Sequence, residues 1–250
     1  MRNNPYESTS QQSARSSFSD YSPVVAELAN ADVRANFLKN TYLHLLGALI
    51  AFASICGIII NVFHQQLEPI VRTLTGGYTW LLFLGGFMFI SYIADRWANS
   101  NTSRQMQYLG LAVYVIAESL FFVPLLYIAQ KFIGPDVIWS AGIMTAIVFG
   151  GLSLTVLITR ADFSFLRSAL AVAGFAALGL IACSILLGMS LGIWFSVAMI
   201  VFASVAILYN TSNILHHYNP QQHVAASLAL FASVTLLFWY VIQLFMSMRE

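Results

Sequence analysis

This chain reads as all-α: an integral membrane bundle of seven transmembrane helices. Charge is scarce. Only 8% of residues are Asp, Glu, Lys or Arg, and 59% are hydrophobic, whereas an ordinary soluble domain is about 25% charged. Mean hydropathy is +0.77. Across residues 168–248 there is no Lys, Arg, Asp or Glu at all. Long soluble helices need a charged face, but helices dissolved in hydrocarbon do not.

Residues 1–36 form a polar N-terminal segment, expected to pass from disorder to a surface helix. The first 22 residues are rich in Ser, Gln and Asn and have little to bury, which reads as disorder. No apolar region of signal-peptide type occurs before residue 41. Residues 24–40 mix Val24, Val25, Leu28, Val33, Phe37 and Leu38 with Glu27, Asp32, Arg34 and Lys39. That pattern suits a short helix lying on the membrane surface.

Residues 37–250 make up the transmembrane domain. Seven apolar runs follow one another: 42–63, 78–94, 108–128, 137–158, 169–187, 191–215 and 224–246. Each is near the ~20 residues a helix needs to cross hydrocarbon. Only Gly188-Met189-Ser190 separates the fifth from the sixth, which predicts a tight antiparallel pair. Thr75-Gly76-Gly77, Asn99-Ser100-Asn101, Gly134-Pro135-Asp136 and Asn219-Pro220 punctuate other connections. Lys and Arg divide unevenly between the two sides. Arg2, Arg15, Arg34, Lys39, Arg96, Arg104, Arg160 and Arg167 fall on one, and Arg72, Lys131 and Arg249 on the other. The positive-inside rule then places the N-terminus in the cytoplasm and the C-terminus outside.

Small residues recur four apart at Gly142, Ala146 and Gly150, at Ala169, Ala173 and Ala177, and at Ala225, Ala229 and Ser233. Such stripes are expected at helix contacts, because close backbone approach replaces the hydrophobic drive that lipid removes. Cys56 and Cys183 lie inside apolar runs without disulfide or metal spacing, and read as small buried side chains.

Glu118 is the exception to the charge pattern. It is the only Asp, Glu, Lys or Arg in any of the seven runs and sits near the middle of the third. An ionised side chain at that depth costs roughly 2.5–3.5 kcal/mol on insertion scales, so an acid retained there reads as a proton or cation site facing the bundle interior. The bland alternative is a protonated carboxyl bonded to a neighbouring helix. Pro124, further along the span, frees a backbone carbonyl and is expected to kink the helix near Glu118.

His216, His217 and His223 flank one turn and read as interfacial residues with a possible pH-sensitive role. Asn210 and Ser233 are polar groups inside the last two runs, suited to interhelical hydrogen bonds. No metal-ligand cluster, phosphate loop, or nucleophile with a base is present, so neither a cofactor nor an enzyme is expected. Without a basic cluster, nucleic acid is not an expected partner.

Several segments together resemble the Bax inhibitor-1 (transmembrane Bax-inhibitor-motif, or YccA-like) family, as a divergent bacterial member. Phe37-Leu38-Lys39-Asn40-Thr41-Tyr42 is similar to the start of that family's first span. Thr145, Phe149, Ser153 and Arg160-Ala161-Asp162-Phe163-Ser164-Phe165-Leu166 resemble its fourth span and the following loop. Tyr209-Asn210-Thr211 resembles its Tyr-Asp-Thr signature, and Ala226-Ser227-Leu228-Ala229-Leu230 with Leu237, Phe238 and Tyr240 its last helix.

The resemblance implies a bundle with the last helix central, a bacterial inner-membrane location, and a calcium leak gated by a proton-sharing pair of aspartates. Asn210 and Ser233 stand where those aspartates are expected, and neither titrates near neutral pH. The expected function is therefore a membrane cation leak channel, calcium being the expected ion, without the usual latch. Glu118 would stand in or beside the path, with Asn210, Ser233 and Tyr209 offering neutral oxygens. The alternative is a non-conducting regulatory membrane protein that binds a membrane protease complex or another stress-response partner.

Overall fold

The computed structural model describes residues 31–99 and 103–249. The disordered stretch expected over residues 1–22, and the start of the expected surface helix, lie outside the described residues. Eight α-helices follow in order: α1 (Ala31–Val62), α2 (His64–Leu74), α3 (Tyr78–Ala98), α4 (Arg104–Ile128), α5 (Pro135–Thr159), α6 (Leu166–Leu187), α7 (Gly192–His216) and α8 (His223–Ser247). All but α2 are long and apolar enough to cross a membrane. The chain is a multi-pass, all-α membrane protein.

The spans overrun the apolar runs at most of their ends, because a helix does not stop where hydrophobicity stops. α1 is the extreme case. It is one helix of 32 residues, so residues 31–40 continue straight into the first span and do not form a separate surface helix. The boundary expected after residue 36 falls inside it. α4 runs through Pro124 and widens into a single π turn, Ala129–Ile133, closed by the Gly134 N–H donating to the Ala129 carbonyl at 3.0 Å. Gly188 ends α6 at φ +65, the left-handed conformation glycine tolerates, and turns the chain into α7. α6 and α7 do pack against each other.

α8 occupies the centre, touching α1, α3, α4, α5 and α7. It buries 61% of its most apolar stretch, as does α4, whereas α3 and α6 bury only 6% each. Apolarity alone does not explain this, because α6 is just as apolar and faces lipid. The α4–α8 contact is aromatic. Phe121 stacks on Trp239 (4.9 Å between ring centres), and Phe122 meets Trp239 edge-on (5.0 Å) and Phe52 of α1 edge-on (4.9 Å).

The first two small-residue stripes do not make the contacts expected of them. Ala146, Gly150, Ala169 and Ala173 are exposed, and nothing lies within 4 Å of where a Cβ on Gly142 or Gly150 would be. Of those two stripes only Ala177 is buried, whereas Ala225, Ala229 and Ser233, on the central helix, all lie within the bundle. Among the described glycines, a close backbone approach is found elsewhere, at Gly110 of α4 against Ala94 and Ala98 of α3. A Cβ there would sit 2.5 Å from the Ala98 nitrogen and 2.6 Å from the Ala94 oxygen. Cys56 is buried as expected, but Cys183 is exposed on the lipid-facing side of α6.

On the face opposite the start of α1, charged pairs tie the connections together. Glu68 of α2 pairs with Lys131 at 2.8 Å and with Arg72 at 3.1 Å. The hydrogen bond from Lys131 holds the Glu68 carboxyl below the usual carboxylate range. Arg249, just beyond α8, pairs with Asp136 at the start of α5. α2 itself buries only Leu67 and Val71.

Gly110→Ala forces two backbones apart and should destabilise the bundle by roughly 1–3 kcal/mol, the usual cost of overpacking. Gly142→Ala enters open space and should be close to neutral. Thermal unfolding of the two variants in one detergent checks the contrast; equal melting temperatures would contradict it.

Candidate functional site

Glu118 lies at the middle of the continuous helical stretch Arg104–Ile133. Its side chain is only 6% exposed, and Oε2 has no hydrogen-bond partner among the described residues. Thr235 of α8 lies beside the carboxyl, although the Thr235 hydroxyl already donates to the Phe231 carbonyl of its own helix at 3.0 Å. Glu118 forms part of the wall of a cavity of about 570 Å³ bounded by α3, α4, α6, α7 and α8. The rest of that wall is overwhelmingly apolar and aromatic, with Ser184, Ser196 and Gln243 among its few polar members.

A second polar centre lies at the end of α7. Three consecutive residues, Asn210, Thr211 and Ser212, point about 100° apart, as helix geometry requires, and so reach three different elements. Asn210 Nδ2 donates to Ser233 Oγ of α8 at 2.7 Å and to the Ala229 carbonyl at 3.3 Å. Ser233 Oγ in turn donates to Ala229 at 3.0 Å. Thr211 faces Ser153 of α5 with 3.5 Å between hydroxyl oxygens. Ser212 Oγ accepts from the Phe163 N–H at 2.8 Å and reaches the Ala161 carbonyl at 3.2 Å, fixing the α5–α6 loop. In that loop the Ser164 N–H donates to Asp162 Oδ1 at 2.8 Å. This bond holds the Asp162 carboxyl below its usual range, with His217 and His216 nearby.

The structure thus brings Asn210 and Ser233 into direct contact, but it does not join them to Glu118. Thr235, which meets Glu118, and Ser233, which meets Asn210, are two residues apart on α8 and project to roughly opposite sides. The four oxygen-bearing residues expected around one ion do not form one shell. Tyr209 is half-buried and lies near Tyr218 instead. The three histidines also divide. His216 and His217 have ring centres 6.3 Å apart, whereas His223 faces His44 of α1 at 5.0 Å.

That second pairing brings in His44, which sequence reasoning missed. Tyr108 Oη lies 3.5 Å from His223 Nε2 and its ring 5.4 Å from His44, so α1, α4 and α8 meet there. Among the described residues no group of three or more His, Cys, Asp or Glu is gathered in metal-binding proximity. The Glu118 cavity also escaped sequence reasoning, because its walls come from five helices spread over most of the chain.

The family model described as Inhibitor of apoptosis-promoting Bax1 matches residues 34–250. An uncharacterized protein of Pseudomonas aeruginosa is 30% identical over 83% of this chain and 87% of its own length. A protein of Escherichia coli named Modulator of FtsH protease YccA is 31% identical over 80% of this chain and 85% of its own. A protein named Inner membrane protein YccA, from a second Escherichia coli strain, shows the same figures.

Ser212→Ala removes the acceptor of the Phe163 amide. Amide exchange across residues 160–165 should accelerate by about tenfold, equivalent to roughly 1.4 kcal/mol for one lost hydrogen bond. Unchanged exchange by mass spectrometry would mean that other contacts hold the loop.

Proposed function

Since the chain belongs to the Bax inhibitor-1 family, we propose that it is a non-enzymatic regulatory protein of the bacterial inner membrane that modulates an FtsH-type membrane protease. The relatives named as an FtsH modulator and an inner membrane protein support this reading, since they match about four-fifths of the chain. The observation that carries it is the Asn210–Ser233 contact. It joins α7 to the central α8 through a 2.7 Å bond between two groups that stay neutral near pH 7. Neither Asn210 nor Ser233 can titrate near neutral pH, so this contact cannot itself act as a proton switch, and a binding role fits it better than proton gating. The excess of Lys and Arg on the N-terminal side favours a cytoplasmic N-terminus. Asp162, His216 and His217, with the loop that Ser212 anchors, would then face the cytoplasm.

The test is co-purification. Tagged protein extracted from bacterial membranes should bring down FtsH, and raised levels of the protein should slow degradation of an FtsH membrane substrate. Absence of both effects, from correctly inserted protein, would overturn the proposal.

Glu118 favours a second reading, a cation leak with calcium as the expected ion, because an acid with an unpartnered oxygen at mid-span marks a candidate ion or proton path. In that case proteoliposomes should admit calcium at one or more pH values around neutrality, and Glu118→Gln should reduce the flux. Absence of flux from folded protein at every pH tested would eliminate the leak.

Asn210→Asp combined with Ser233→Asp would place two carboxylates in contact, where both cannot ionise together. The melting temperature of this double variant should fall as pH is raised through neutrality, beyond any change in the wild type. Parallel melting curves for the two proteins would show that the pair does not share a site as drawn.

A further inference from the structure

We propose that the cavity beside Glu118 is a binding site for lipophilic organic cations that enter sideways from the bilayer. Its volume of about 570 Å³ falls within the ~300–1,000 Å³ of small-molecule sites. One wall is a continuous aromatic surface. Phe121 stacks against Phe87 at 4.4 Å, Trp239 at 4.9 Å and Trp80 at 5.4 Å. Glu118 precedes Phe121 by one helical turn, so its carboxyl adjoins that surface. It is more than nine-tenths buried, with Oε2 unpartnered among the described residues.

The chemistry selects by charge and by hydration. Aromatic faces attract positive charge, and one carboxylate supplies the counter-ion that an isolated buried cation needs. An anion would meet repulsion from both. A bare metal ion would have to exchange its water for several oxygen ligands, which a mainly hydrocarbon wall cannot supply. A cation whose charge is wrapped in hydrocarbon loses little hydration on entering. The route is lateral, because α3 and α6, which close the cavity on its outer side, are the least buried spans. α6 presents only Gly174 and Ala177 at two of its lining positions. A Cβ on Gly174 would meet nothing closer than the Phe202 ring at 3.6 Å, an ordinary contact.

The full-length protein in lipid nanodiscs would be titrated with radiolabelled tetraphenylphosphonium, and in parallel with tetraphenylborate, an anion of the same shape. The expected result is saturable phosphonium binding above that of empty nanodiscs, with none for the borate. Glu118→Gln should weaken binding at least about tenfold. Gly174→Leu keeps the carboxyl but fills part of the cavity, and should weaken binding to a similar degree; it decides the matter if Glu118→Gln does not fold. The proposal is overturned if the wild type shows no saturable binding, if the borate binds equally well, or if the folded variants bind as the wild type does.

Discussion

Lipid offers no hydrogen-bond partner, so a polar side chain inside a membrane bundle is costly unless protein supplies one. Glu118 Oε2 lacks one among the described residues. Several of the buried polar residues here solve the problem locally. Thr41, Ser119 and Thr235 each return a hydroxyl proton to the carbonyl four residues back. The Asn210-Thr211-Ser212 tripeptide solves it at long range and thereby fastens α7 to α8, to α5 and to the α5–α6 loop. Helix packing follows from these fixed points. Without a hydrophobic drive between spans, the arrangement depends on where polar partners must meet and where surfaces interlock.

The interlocking surfaces are unequal. α4 and α8 form the aromatic centre, and α3 lies along α4, with the two backbones nearly touching at Gly110. α6 is held mainly through α7 and α3. The bundle is therefore tight along one side and loose along another. The cavity lies where the loose side meets the aromatic centre, with the lone mid-span carboxyl in its wall.

Much of this was legible in the sequence, and the limits have physical reasons. Seven spans are written in the hydropathy, and Glu118 stands out because an acid in hydrocarbon is costly. The pairing of Asn210 with Ser233 could be anticipated from the resemblance alone, since no local pattern links residues on different helices. The small-residue stripes on α5 and α6 misled because spacing gives a helix face but not what lies opposite it. Gly110 was overlooked for the same reason: its partners Ala94 and Ala98 come from the preceding helix. α2 is too short and too polar to register as a span, and its place rests on burying Leu67 and Val71, with the exposed Glu68–Lys131 pair a minor addition. His44 needed Tyr108 and His223 from two distant helices to become visible.

The length of α1 exceeds the thickness of the hydrocarbon. At 1.5 Å per residue, its 32 residues extend about 48 Å, while the hydrocarbon layer is about 30 Å thick. Even at the usual tilt of ~20°, roughly 15 Å of the helix lies outside the hydrocarbon, at the end that carries Asp32, Arg34 and Lys39. Phe37 and Thr41, both buried, keep that extension joined to the bundle, so the protein core itself reaches into the headgroup layer on this side.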